Sequence, residues 1–139
     1  MLQRQQTVWL IIAVVFIILG FSFPFYSGTT YVRDHLVDGV DLLADRKISL
    51  FLFSIVTGIT AFVALILYKK RKIQLRVTIA ALLLSVLLLF FYFREIKDYE
   101  HGHILLTSLF TFALPVCFFM AARGIRHDEK LVKSLDKIR

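Results

Sequence analysis

Lys69-Lys70-Arg71-Lys72-Ile73-Gln74-Leu75-Arg76 decides the reading of this chain. It carries five positive charges and no acid, and it lies between two long uncharged apolar runs. Lys and Arg accumulate in short connections on the cytoplasmic side of membranes, so the stretch reads as a cytoplasmic loop between two spans. Before it, Ile48 to Tyr68 runs twenty-one residues without a charge. After it, Val77 to Phe93 is the most apolar segment of the chain and rich in Leu.

Two further runs complete the set, residues 7–25 and 104–122. Eighteen helical residues at ~1.5 Å each cover ~27 Å, close to the thickness of bilayer hydrocarbon. Trp9, Tyr26, Tyr68 and Tyr92 stand at the ends of these runs, where amphipathic rings favour the water interface. The first run is too long for the apolar region of a signal peptide and no small-x-small site follows it, so it reads as a span. Between spans, residues 26–47 are polar and nearly neutral. Leu36, Val37, Val40 and Leu43 suit one short amphipathic helix, while Asp38-Gly39 suits the turn of a hairpin; the pattern leaves both open.

Composition agrees with a membrane protein. The chain of 139 residues is 58% hydrophobic with fourteen Phe, and its mean hydropathy is +0.75. The net charge of +7 sits between apolar runs and in the tail rather than in a nucleic-acid-binding motif, which points to anionic headgroups and away from nucleic acid. Cys117 stands alone, so there is no disulfide framework.

Residues 123–139 form a basic tail in which Leu131, Val132, Leu135 and Ile138 recur at helical spacing and Glu129 precedes Lys133 by four. This predicts a terminal amphipathic helix, lying on the membrane surface or docked on a partner. With four spans, the tail, the N-terminus and the 69–76 loop fall on one side. That side collects twelve of the seventeen Lys and Arg; the acids divide seven to three in favour of the other side. Both termini are therefore expected in the cytoplasm.

The spans contain small-residue pairs four apart (Ser54/Gly58, Thr57/Ala61, Thr60/Ala64) that let helices approach closely. The same hydroxyls, with Thr107, Ser108 and Thr111 of the fourth run, are also compatible with a polar path. Pro115 should leave the carbonyl of Thr111 without its helical partner. No Asp, Glu, Lys, Arg or His falls within these four runs, which argues against proton-coupled transport. Asp98, Glu100, His101 and His103, with His35, are the residues nearest to a metal-ligand set; a solvated loop is the simpler reading. No catalytic, cofactor-binding or metal-binding residue is assigned, and no enzyme activity or cofactor is expected.

Three stretches, Met1 to Leu10, Tyr68 to Arg76 and Ala121 to Arg139, resemble an uncharacterised family of bacterial membrane proteins known from Bacteroidetes, domain-of-unknown-function family 4293. The resemblance implies a four-helix inner-membrane protein and supplies no activity, cofactor or catalytic residue.

The expectation is an all-α membrane protein: a single domain over residues 1–139, with four transmembrane helices in up-down order (7–25, 48–68, 77–93, 104–122) and a cytoplasmic C-terminal amphipathic helix. It is expected in the bacterial inner membrane. Arg4, Lys69, Lys70, Arg71, Lys72, Arg76, Arg123, Arg126, Asp128, Glu129, Lys133 and Arg139 form a candidate cytoplasmic interaction face. Its partners would be the lipid bilayer, a second protein, or another copy of the chain. The alternative is a small transporter or channel subunit for a neutral or weakly polar solute, lined by Ser and Thr of helices 2 and 4.

Overall fold

The computed structural model describes residues 3–33 and 35–136, with side chains at 5–31, 33 and 35–134. The elements are α1 (Gln3–Ser22), β1 (Tyr26–Val32), β2 (His35–Leu42), α2 (Ile48–Ile66), α3 (Arg71–Ile96), β3 (His101–Ile104) and α4 (Leu109–Asp136). All four helices are long and apolar enough to cross a membrane. They pack in a ring: α1 on α2 and α4, α3 on α2 and α4.

The helices are inside out relative to a water-soluble bundle. Small and hydroxyl residues face inward: Ser54, Thr57, Ala61 and Ala64 of α2 against Thr78, Ala81 and Ser85 of α3. Large apolar residues face outward, with Phe62, Phe90 and Phe119 each about 60% exposed. In lipid the outer face has no reason to be polar, and helix association relies on close approach of small residues.

Residues 26–42 form a hairpin rather than a helix. Strand order is β2-β1-β3, all antiparallel. Asp38-Gly39 does not make the turn, which lies after Val32. It makes a bulge opposite Thr29, between the pairs Gly28↔Val40 and Thr30↔Val37. Gly39 takes φ +71°, which glycine adopts without strain, and Thr29 Oγ1 donates to Asp38 Oδ1 at 2.7 Å.

Tyr26 and Tyr92 are corrected as interface anchors. Both are buried; Tyr92 stacks on Phe25 with ring centroids 4.3 Å apart, and Tyr26 meets Tyr99 edge-on. They seal the end of the bundle beneath the sheet. Tyr68 is exposed as expected.

Two boundaries also move. The basic stretch is mostly helical: a 3-10 turn covers Leu67–Lys69, α3 begins at Arg71, and Lys70 alone lies between them. The tail is not a separate helix, because α4 runs unbroken for 28 residues, with Pro115 inside it.

Candidate functional site

The end of the bundle carrying the α2–α3 turn gathers what the sequence singled out. On α3 the inward positions Gln74, Thr78, Ala81, Ser85, Leu88 and Tyr92 recur every three or four residues. The buried stripe therefore extends back into the basic stretch and places Gln74, fully buried, among the helices. Its Nε2 donates to the carbonyl of Ala64 at 3.0 Å, so one of the last carbonyls of α2 is satisfied across the turn.

On α4 the stripe Thr111, Leu114, Phe118, Ala121, Ile125 and Asp128 is likewise buried. It carries the core past Ala122 and draws the aspartate inward. Gly124 faces α1: a Cβ there would stand 3.4 Å from Gln6 Cβ, an ordinary van der Waals contact. Arg71 Nη1 donates to the main-chain carbonyl of Asp128 at 3.5 Å, tying α3 to α4.

Three acceptors are left over. Among the described residues, Gln6 Oε1, Gln74 Oε1 and Asp128 Oδ2 are buried without a hydrogen-bond partner. A buried polar atom without a partner costs about 1–3 kcal/mol, and more for a charged one. Gln6 and Asp128 also line a groove of about 740 Å³ along α4. Its apolar part is formed by Trp9, Leu82, Phe119 and Met120, and its polar part includes Arg123, His127 and Lys130.

The candidate interaction face is partly assembled. Lys69, Lys70, Lys72, Arg76, Arg123, Arg126 and Lys133 are exposed at this end, and Arg71 and Glu129 are half-buried. Glu129 accepts from Lys133 at 3.1 Å, the pair expected from their spacing. Asp128 differs from the rest: it belongs to the interior. Leu131 and Val132 of the expected tail stripe remain exposed, because the inward stripe is Ile125 and Asp128. The side chain of Arg4 and all of Arg139 lie outside the described residues. Gln6 and Gln74 were not among the sequence candidates.

At the other end, His35 lies on β2 while His101 and His103 lie on β3, with β1 between them. No group of three His, Cys, Asp or Glu capable of holding a metal occurs among the described residues. Lys47 Nζ sits 2.9 Å from Glu95 and 3.5 Å from Asp98. The hydrogen bond to Glu95 is the main reason its pKa is raised.

The hydroxyls of α2 mostly bond their own helix: Thr57 to the carbonyl of Phe53, Thr60 to those of Val56 and Thr57. Where Ser54 of α2 and Thr111 of α4 line one void, its volume is about 10 Å³, no more than the minimum for one water.

The sequence profile of a family described as Domain of unknown function (DUF4293) matches residues 2–138. The match covers nearly the whole chain, and the chain belongs to that family. No curated protein and no solved structure matches it.

Proposed function

We propose that this DUF4293 member is a non-enzymatic multi-pass protein of the bacterial inner membrane, with both termini in the cytoplasm, whose basic end binds anionic phospholipid headgroups. The supporting observation is the joint exposure of Lys69, Lys70, Lys72, Arg76, Arg123, Arg126 and Lys133 at one end of a bundle with apolar outer walls. Cytoplasmic leaflets are negatively charged, and each Lys or Arg near the surface contributes about 1 kcal/mol of attraction. The same charges favour retention of that end on the cytoplasmic side.

The test is lipid selection by the purified full chain in nanodiscs of phosphatidylcholine doped with phosphatidylglycerol. The wild type should enrich phosphatidylglycerol around itself, and changing Lys69, Lys70 and Lys72 together to Gln should remove most of that enrichment. Equal enrichment in both proteins would overturn the reading.

Docking of a protein is a second reading, favoured by Leu131 and Val132, each 42% exposed on the far end of α4. A chain ending at Lys130 keeps the packed Ile125 and Asp128. Under this reading it should lose a cross-linked partner that the full chain retains.

A further inference from the structure

We propose that the groove along α4 is a binding site for one phospholipid with a primary-amine headgroup, the ammonium held by Asp128 and Gln6. The proposal rests on the reading of the basic end as a lipid-contacting cytoplasmic face and names the lipid class this one site takes.

The argument starts from unmet acceptors. Asp128 is 6% exposed and Gln6 is 4% exposed. Each has an oxygen without a partner among the described residues, and both line the groove. Two acceptors, one of them a carboxylate, call for a cation that brings several N–H donors. A primary ammonium carries three. Arg71, the cation tied to this turn of α4, donates to the main-chain carbonyl of Asp128. A divalent metal would want more oxygen ligands than one carboxylate and one amide supply. A quaternary ammonium has no N–H to give.

The rest of the groove fits the rest of such a lipid. Arg123, His127 and Lys130 follow one another at four and three residues, which puts them on one exposed face of α4, ~100–160° around the helix from the inward-facing Asp128. All three line the groove, where they would meet a phosphate two carbons away from the ammonium. Trp9 and Phe119, on the apolar part, would lie along an acyl chain. Phe119 is 58% exposed on the outer wall of the bundle, so the groove opens toward lipid as well as toward water. That opening favours a membrane lipid over a soluble amino-phosphate.

The experiment is native mass spectrometry of the delipidated full chain, titrated with dioleoylphosphatidylethanolamine, dioleoylphosphatidylglycerol, dioleoylphosphatidylcholine or soluble phosphoethanolamine. The expected result is one tightly retained phosphatidylethanolamine per chain, preferred over phosphatidylcholine by about tenfold or more, as loss of one charge-assisted hydrogen bond implies. Asp128→Asn should reduce phosphatidylethanolamine retention about tenfold and leave phosphatidylglycerol binding unchanged. Gln6→Glu, which adds a second carboxylate, should tighten it, so the proposal stays testable if the Asn variant misfolds. Equal retention of phosphatidylethanolamine and phosphatidylcholine would overturn the site. So would unchanged retention in a folded Asp128→Asn protein or in Gln6→Glu, or tighter binding of soluble phosphoethanolamine than of the lipid. The Lys69/Lys70/Lys72→Gln protein separates the two ideas. It should lose phosphatidylglycerol enrichment and keep the single phosphatidylethanolamine. Absence of phosphatidylglycerol enrichment in the wild type would remove the broader reading, and absence of phosphatidylethanolamine preference removes only this one.

Discussion

At the sheet end, the polar groups near the helix termini find partners. The carbonyl of Pro24 accepts from Thr107 Oγ1 at 2.5 Å, Phe25 donates to Leu42 at 2.9 Å and accepts from Leu105 at 3.2 Å, and Thr30 Oγ1 reaches the carbonyl of Asp98 at 3.1 Å. At the basic end, Gln6, Gln74 and Asp128 keep oxygens without partners among the described residues, and Gln6 and Asp128 line a groove. Both ends close the same four helices. The difference teaches that closure alone does not require unmet acceptors, so their presence at one end points to a ligand there.

The largest expected effect lies at the sheet end. Gly28 and Gly102 pair across β1 and β3. A Cβ on Gly102 would come within 2.5 Å of the Ser27 carbonyl oxygen and 2.7 Å of Gly28 Cα. Gly102→Val should separate the strands at a cost of about 3 kcal/mol, read as a lower melting temperature in detergent and faster proteolysis near residue 102. A protein that melts like the wild type would show that the sheet does not fasten this end.

Gln74→Ala probes the basic end. It strips the donor from the Ala64 carbonyl but also removes the unpartnered Oε1, so the net cost in the same melt should be about 1–2 kcal/mol. No loss at all would mean that relief of Oε1 or access of water offsets the broken bond, sharpening the contrast between the ends. Gly39→Ala should cost about 1 kcal/mol through its positive φ, with the hairpin otherwise intact by circular dichroism.

Lys47→Ala should be weakest, about 0.5 kcal/mol, since the ammonium is half exposed. Its pKa is raised above the ordinary 10.5 chiefly by the hydrogen bond to Glu95. The contact therefore contributes fully below about pH 10.5 and fades as pH rises through the raised value. The wild-type melt should fall toward that of Lys47→Ala in strongly alkaline buffer, and a gap that persists there would assign the effect to packing.

Most of the bundle was legible because long apolar runs have few alternatives to a spanning helix. What was misread came from treating charge as a boundary. Lys69 to Arg76 reads as a loop by charge, yet the spacing of Tyr92, Leu88, Ser85, Ala81 and Thr78 continues unbroken to Gln74 and marks it as helix. The same spacing on α4 runs from Thr111 to Asp128 and marks the packed stripe, whereas Leu131 and Val132, whose spacing suggested a surface for the membrane or a partner, are exposed. Gln6 carried no such signal. Its burial depends on α1 meeting α4, a contact between segments more than a hundred residues apart, which periodicity within either helix does not encode. The hairpin was open for a related reason: its strands are short, and β1 is held partly by β3, which lies on the other side of two helices in sequence.

The single residue between the turn after α2 and the start of α3 has a further consequence for how this protein enters a membrane. With only Lys70 as connector, the two helices have no slack to insert one after the other in extended form. They should enter as a paired unit with its charged tip held back, and α1 and α4 would then close around a unit already formed. Lengthening the connector with Gly and Ser should uncouple the two insertions, visible as separate protection times for α2 and α3 during synthesis into membranes.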